Sequence, residues 1–189
     1  MIARLIAKRA VQVIALVFTF PLAVTCAFGR LQPVFTMWAH SMALAPGPLG
    51  NFLRGAFYKL TLHQASIDTN IGFGTYFVYP DASVGSHVSI GAYCVIGRAS
   101  IGSGTQIASH VGIPGGRHHH NRDADGRLSG TVRGRTVIGE QCWVGQSAVV
   151  MNNVGDRSTI GAGAVVVHEV PAGVVAVGNP ARVLGAAKT

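Results

Sequence analysis

Residues 84–113 read VGSHVSIGAYCVIGRASIGSGTQIASHVGI, and this stretch decides the fold. An aliphatic residue returns about every six positions and is usually followed by glycine. Four positions after the aliphatic residue comes a small or β-branched one, as at Val88 and Cys94. This small residue lies two positions before the next aliphatic one, so both side chains point to the same face of a short strand. Glycine then allows a tight turn.

The same pattern resumes after the histidine-rich loop, at Ile138, and continues to Pro171. Its aliphatic positions are Val84, Ile90, Ile96, Ile101, Ile107, Ile138, Val144, Val154, Ile160 and Val166. Short strands that turn at a fixed period stack into a coil, in which the aliphatic side chains form a narrow core. The sequence therefore predicts a mainly β fold, a parallel β-helix of hexapeptide repeats. Cys94 and Cys142 occupy small positions, which indicates buried thiols rather than reactive ones.

Composition narrows the classes of function. The 189 residues carry a formal net charge of +8, and 49% of them are hydrophobic. A basic chain suits an anionic membrane surface or a phosphate-bearing cofactor. The basic residues are scattered without a nucleic-acid-binding motif, so we expect no nucleic-acid partner. The three cysteines form no CxxC pair, and we expect free thiols in a reduced compartment.

The amino-terminal region is predicted to be a membrane device. Residues 10–29 contain no charged side chain, a length that can cross a bilayer, although Pro21 would kink the helix. A cleaved signal peptide, a lipoprotein signal, a single span and a hairpin or re-entrant helix all compete. Basic residues on both sides of the segment, at Arg9 and Arg30, favour the hairpin or re-entrant form.

Residues 51–64, NFLRGAFYKLTLHQ, are predicted to form an amphipathic helix. Helical spacing puts Leu53, Ala56, Phe57 and Leu60 on one face and directs Arg54, Tyr58 and Lys59 away from it. The helix either lies at a membrane interface or packs on the main domain. We thus divide the chain into a helical membrane-associated region, 1–64, and a β-helix domain, 65–189, with an active-site loop inserted at 114–136.

The repeats over residues 71–184 resemble the hexapeptide-repeat acyltransferases, which are left-handed β-helices. The most specific part is residues 160–184, IGAGAVVVHEVPAGVVAVGNPARVL. The apolar amino-terminal segment followed by LRGAFYKLTL resembles membrane-associated members linked to O-acetylation of surface polysaccharides. The resemblance implies a homotrimer that binds acetyl-CoA between neighbouring helices and uses no metal.

The resemblance also assigns roles within the loop. GGRHHHN, residues 115–121, is similar to the family's stretch that ends in the catalytic histidine, which implies that His120 is the general base. His118 and His119 are the alternatives, and Arg117 belongs with them to the acceptor site. Histidine can remove a hydroxyl proton near neutral pH. A carboxylate usually orients such an imidazole, and Asp123 or Asp125 is close enough in sequence to do so.

Further residues follow from the same resemblance. Trp143 either lines the acceptor site or packs between subunits. Ala164 falls where relatives contact the pantetheine arm through the backbone, and Gly145 is a further cofactor residue. Arg182 matches the basic residue that reaches the nucleotide phosphates. Relatives often carry Thr-Lys after the last repeat, and this chain has Val167 and His168 instead, so the phosphate contact there would depend on pH.

The sequence thus predicts a bacterial O-acetyltransferase that acts on a sugar hydroxyl of a surface polysaccharide or exopolysaccharide, in polymeric or lipid-linked form. We expect it at the inner membrane, in contact with lipid, with the β-helix facing the cytoplasm. One alternative is acetylation of a small soluble acceptor such as an antibiotic or serine. A zinc enzyme of the carbonic-anhydrase type is disfavoured because adjacent histidines in a strand point apart. A trimeric scaffold without catalysis is the last alternative.

Overall fold

The structure, a computed structural model, describes residues 2–116, 120–131 and 134–187, with the backbone alone at 120–122 and 128–131. Three helices come first: α1 (Ile2–Thr25), α2 (Gln32–Ala43) and α3 (Gly47–Thr61). α1 continues without interruption through Pro21. Among the described residues, α1 is the one helix that is long and apolar enough to cross a bilayer, judged by length and composition.

Short β-strands follow the helices. They are β1 (Gln64–Ala65), β2 (Asn70–Ile71), β3 (Tyr76–Phe77), β4 (Ser83–Val84), β5 (Ser89–Ile90), β6 (Val95–Ile96), β7 (Ala99–Ile101), β8 (Gln106–Ile107), β9 (Gly112–Ile113), β10 (His120–Arg122), β11 (Leu128–Thr131), β12 (Thr136–Ile138), β13 (Trp143–Val144), β14 (Val149–Val150), β15 (Thr159–Ile160), β16 (Val165–Val166), β17 (Val174–Val177) and β18 (Arg182–Ala186).

The strands form a three-sided coil. Face A contains β1, β4, β7 and β12; face B contains β2, β5, β8, β13, β15, β17 and β18; face C contains β3, β6, β9, β14 and β16. Successive strands on a face are parallel and in register, as Ile90 with Ile107 and Ile96 with Ile113. The last pair, β17 and β18, is antiparallel. The predicted parallel β-helix is confirmed, and its corners are named here A–B, B–C and C–A after the faces they join.

The repeat pattern accounts for the core. Every aliphatic position named above is buried, and so are the small positions four residues later, except Ser100 in the shortened step after Ile96. Cys94 and Cys142 are among them, and burial raises the pKa of both thiols. Cys26 is buried as well, so all three cysteines are free and buried, as predicted. Inward-facing residues of stacked coils thus fill the narrow interior.

Each coil of the β-helix comprises one turn over the three faces, and the first coil contains β1, β2 and β3. The helices α2 and α3 close this first coil. Arg54 of α3 is buried, and its guanidinium donates hydrogen bonds to the carbonyl oxygens of Ile71 at 2.8 Å, Ala45 at 2.6 Å and Met42 at 3.2 Å. The last two carbonyls belong to the end of α2, where a cation is favourable. Burial lowers the pKa of Arg54 below its ordinary value. An arginine remains protonated even so.

Tyr58 and Asn51 complete this closure. The Tyr58 hydroxyl is buried and accepts a hydrogen bond from the Phe77 N–H at 3.2 Å. The Asn51 side chain accepts one from the Ile71 N–H at 2.8 Å. The prediction that Arg54 and Tyr58 point away from the buried face was wrong. The backbone groups at the open end of the coil need hydrogen-bond partners, and these polar side chains provide them. α3 is therefore a helix packed on the main domain.

Candidate active site

The inserted loop leaves the coil at the C–A corner, between β9 and β12. Within it, β10 and β11 form an antiparallel hairpin, in which His120 pairs with Thr131 and Arg122 with Leu128. The register shifts between His120 and Asn121. The loop begins where the third coil ends, so it projects from the middle of the β-helix rather than from either end.

Arg98 lies beneath the loop and contacts both of its ends. Its guanidinium carbon lies 3.8 Å from the centre of the Tyr79 ring, and its Nε donates a hydrogen bond to Asp81 Oδ2 at 2.8 Å. The backbone of Arg98 meets both ends of the loop. Its carbonyl oxygen accepts the Thr136 N–H at 3.0 Å, and a Cβ on Gly115 would lie 2.8 Å from its nitrogen. Gly115 has a φ of 91°, which favours glycine.

Arg135 connects the carboxyl end of the loop to residues that lie beneath it. Its guanidinium donates to the Asp81 carbonyl oxygen at 2.7 Å and to the Ser100 hydroxyl at 3.1 Å. The loop thus has a rigid base built from residues of the second and third coils and of its own carboxyl end.

The structure describes only some of the predicted loop residues. Arg117, His118 and His119 lie outside the described residues. The backbone of His120 belongs to β10, and nothing follows about its side chain. Asp123 lies in the hairpin turn, where its Oδ1 accepts the N–H groups of Asp125 at 3.0 Å and Arg127 at 2.9 Å. This turn gives the Asp123 carboxylate a structural role, whatever it does toward His120.

A second group of predicted residues lies around the B–C corner. Trp143 projects outward from face B and is 52% exposed. Gly145 follows at the corner, where a Cβ would lie 2.5 Å from the Ala162 nitrogen, so stacking of the coils alone requires glycine. Ala164 is buried; its N–H donates to Gly161 and its carbonyl oxygen accepts from Val149.

Arg182 and His168 are exposed. Arg182 begins β18, pairs with Val177 and donates one hydrogen bond to the Ala181 carbonyl oxygen at 3.2 Å. His168 lies at the C–A corner, two coils beyond the loop. The predicted residues therefore fall on two corners of one chain, the C–A corner with the loop and His168, and the B–C corner with the others.

Face C separates these two corners. Its outward positions are Tyr76, Val95, Gly112, Val149 and Val165, a row without a charged or amide side chain. Gly112 lies in the third coil, level with the start of the loop, and a Cβ built there meets no atom of the described residues within 4 Å. No contact among those residues requires this glycine. A glycine in a strand often marks a place where a ligand or another backbone approaches closely.

Neither Gly112 nor Arg98 was predicted as a site residue. Gly112 carried a signal, because it precedes the aliphatic Ile113, whereas the repeat glycines follow the aliphatic residue. Arg98 carried none, since its contacts with Tyr79 and Asp81 join different coils.

The chain resembles solved acetyltransferase structures over most of its length. A maltose O-acetyltransferase from Clostridium difficile matches with a TM-score of 0.71 and 22% identity, over 84% of this chain and 89% of that one. A galactoside acetyltransferase in complex with coenzyme A matches at 0.67 and 21%, over 83% and 82%. A hexapeptide-repeat-containing acetyltransferase from Vibrio cholerae matches at 0.67 and 20%, over 84% and 93%. The chain has the hexapeptide-repeat acetyltransferase fold.

Sequence comparisons agree with this fold over shorter stretches. A provisionally assigned acetyltransferase of Saccharomyces cerevisiae is 38% identical over 81 residues, 41% of this chain and 40% of that protein. Galactoside O-acetyltransferase of Escherichia coli is 47% identical over 51 residues, 25% of each chain. The chain thus spans less than half the length of these curated relatives. No family model matches the sequence.

The hexapeptide-repeat acetyltransferase fold identifies the coil as a left-handed β-helix, as predicted. Two of the similar structures hold coenzyme A or acetyl coenzyme A. In the part of this chain that the structure describes, no cluster of three or more His, Cys, Asp or Glu residues could hold a metal ion.

Proposed function

We propose that the protein is an acetyl-CoA-dependent O-acetyltransferase whose acceptor is a sugar hydroxyl of a surface polysaccharide or exopolysaccharide. The observation that carries this proposal is the histidine-bearing loop on the hexapeptide-repeat acetyltransferase fold. The loop rises from a rigid base beside an apolar face with an open glycine position. A loop that brings chemistry to a rigid coil is the usual division between scaffold and site.

His120 is the proposed general base. Acetyl-CoA supplies an activated thioester. The imidazole removes the proton of the attacking hydroxyl, and returns it to the leaving sulfur as the new oxygen–carbon bond forms and the carbon–sulfur bond breaks. Arg117, His118 and His119 are assigned to the acceptor side of the loop. Asp123 remains the proposed orienting carboxylate. Its Oδ1 is engaged in the hairpin turn, so this role would fall to its other oxygen.

The donor is proposed to bind between neighbouring chains. Arg182 would pair with its phosphates, because the guanidinium is exposed and can make charge-assisted hydrogen bonds. His168 would add a second, pH-dependent contact. The Gly112 position leaves room beside the loop for a narrow chain. Gly145 and Ala164 would contribute surface only, since the backbone groups of Ala164 are already used within the coil.

A homotrimer would join the two corners into complete sites. In one chain, Trp143 projects from face B, which is opposite the C–A corner that bears the loop. A side chain on face B can therefore approach a loop at the C–A corner only if the loop belongs to a second coil that lies alongside. The apolar row on face C supports such a contact, because an apolar strip this long favours burial. Trp143 of one chain would then line the site that the loop of its neighbour completes.

Membrane attachment is proposed as well, with the β-helix on the cytoplasmic side of a bacterial inner membrane, where acetyl-CoA is made. The exposed apolar side chains of α1 support a lipid partner. A free sugar is a second candidate acceptor, favoured by the similarity to galactoside and maltose O-acetyltransferases. The apolar surface of α1 favours the polymeric or lipid-linked acceptor, because a soluble sugar needs no membrane anchor.

The test compares turnover and acetyl-CoA affinity in loop variants. His120→Ala should lower kcat by about 10²–10⁴-fold and leave the Kd for acetyl-CoA nearly unchanged, because the donor is held elsewhere. The matched controls His118→Ala and His119→Ala should cost far less. Full activity in all three variants would remove proton abstraction from this loop. Turnover with a polysaccharide but not with maltose or a galactoside would separate the two acceptor classes.

A further inference from the structure

The distribution of buried and exposed side chains on α1 is the reverse of that in a typical helix of a soluble protein. Its buried stripe is small or polar: Gln12, Ala15, Thr19 and Ala23. Its opposite side carries large apolar side chains that are exposed: Ile6, Val13, Ile14, Val17, Phe18, Phe20 and Val24. Phe18 is 70% exposed and Val17 67%. A helix that packs on a core usually turns its large apolar side chains inward. The outward face of α1 therefore requires an apolar partner outside the chain.

The amino-terminal part of α1 is tied to the first coil of the β-helix. Lys8 Nζ lies 2.8 Å from Asp68 Oδ1, and Arg9 Nη2 lies 3.0 Å from Asp68 Oδ2. The Gln12 side chain donates to the Ile67 carbonyl oxygen at 2.9 Å. The hydrogen bond from Lys8, followed by those from Arg9 and Gln12, lowers the pKa of Asp68 to about 2. Asp68 lies at the A–B corner, between β1 and β2.

The other end of α1 is tied to a different corner of the same coil. Gly29, just after the helix, packs against Pro80, and a Cβ there would lie 2.8 Å from the Pro80 Cβ. Pro80 belongs to the C–A corner, between β3 and β4. The Trp38 indole N–H also donates to the Thr25 hydroxyl at 2.8 Å, which fixes the end of α1 to α2.

These two attachments set the direction of α1. Two corners of one coil lie at nearly the same height along the β-helix, so a helix that joins them crosses the end of the coil stack. If α1 crossed a bilayer along its own axis, the Asp68 ion pairs and the first coil would enter the hydrocarbon. Burying such charges in hydrocarbon is costly.

We propose that α1 lies in the plane of an anionic membrane, with its outward face inserted among the headgroups and first acyl carbons, and does not span the bilayer. The inference rests on the membrane attachment in the proposed function and fixes its geometry. Arg30 is exposed just after the helix, where it would meet anionic headgroups. The net charge of +8 adds to the same attraction.

The depth of α1 can be measured on the full-length protein. A nitroxide label is attached to Ile6→Cys, Val13→Cys, Val17→Cys or Val24→Cys in turn, with wild-type protein as background because its native thiols are buried. In phosphatidylcholine–phosphatidylglycerol vesicles, the four labels should sit at one shallow depth of about 5–10 Å. A span would instead put Val13 and Val17 deepest and Ile6 and Val24 near opposite surfaces, which would overturn the proposal.

Vesicle flotation tests the partner itself. Val17→Ser and Phe18→Ser should each lower the partition coefficient by about tenfold or more. Leu184→Ser, which removes an equally exposed side chain at the far end of the coil, should leave it unchanged. Vesicles without phosphatidylglycerol should bind more weakly. If purified protein instead pairs through this face, with Phe18→Ser reducing particle mass and no flotation, the partner is a second copy. Acetyl transfer to a soluble acceptor is measured separately, so loss of lipid binding is distinguishable from loss of catalysis.

Discussion

The guanidinium of Arg98 stacks on the ring of Tyr79, with 3.8 Å between its central carbon and the ring centre. The stack lies directly beneath the inserted loop, and the Arg98 backbone contacts both loop ends. A side chain outside the loop can thus influence the position of the proposed base, and catalysis is sensitive to shifts of about 1 Å.

Arg98→Met should therefore act on turnover rather than on donor binding. It removes the contact with Tyr79 and the ion pair with Asp81, in which the Arg98 side chain is only 13% exposed. We expect kcat to fall by about tenfold or more with little change in the Kd for acetyl-CoA. Arg98→Lys should recover part of the loss, since it restores the charge but not the planar stack. Equal losses in both parameters would indicate a general folding defect instead.

Gly112 offers a test of the open position on face C. Gly112→Val should leave the melting temperature close to wild type, because a Cβ there meets nothing within 4 Å in the parts of the chain that the structure describes. It should raise the KM for acetyl-CoA or weaken trimer assembly, as calorimetry and light scattering would report. Gly91→Ala is the matched control, since its Cβ would lie 2.5 Å from the Ser109 nitrogen and should destabilise the coil. A fully active, trimeric Gly112→Val protein would contradict the proposed approach of a ligand or neighbour.

Arg182→Ala tests the phosphate contact. Loss of a charge-assisted hydrogen bond should cost about 1–3 kcal/mol in donor binding, seen as a higher KM for acetyl-CoA with kcat barely altered. Wild type should bind a donor lacking phosphate more weakly, whereas the variant should not distinguish the two donors. If both proteins lose the same affinity, Arg182 does not pair with phosphate.

Arg54→Met tests the closure of the first coil. The substitution removes the guanidinium donor from three carbonyl groups, of which that of Met42 still accepts the Ala45 N–H. We expect the free energy of unfolding to fall by about 3 kcal/mol or more, measured by denaturant titration. Lys59→Met, which removes an exposed cation from the same helix, should change stability little. Similar stabilities for the two variants would argue against Arg54 as a structural donor.

The repeat made most of the fold predictable, because its period is local and each step encodes one strand and one turn. Val84, Ile101 and Ile138 could be assigned to the core from spacing alone. Arg54 could not be oriented, since a helical pattern treats arginine as a surface residue, and the carbonyls it contacts come together only in the folded chain. The sequence also did not show that Trp143 and the loop lie on different sides of the coil, because this depends on which face each coil position occupies.

The stacking of coils also sets the height of the loop above the helical end of the β-helix. Strands on one face are separated by about 4.8 Å, and the loop begins three steps from the end that α2 and α3 close, which places it on the order of 10–15 Å above that end. Because α1 packs on α3, a membrane surface at α1 would lie below the loop by this height and the thickness of the helices. A loop at a fixed height would reach only sugars at a fixed distance from the lipid end of the proposed lipid-linked acceptor. Residues farther along a polymer would extend past the loop into solvent. The number of coils between helix and loop would then select which sugar is modified, and an inserted or deleted coil would shift that choice along the chain.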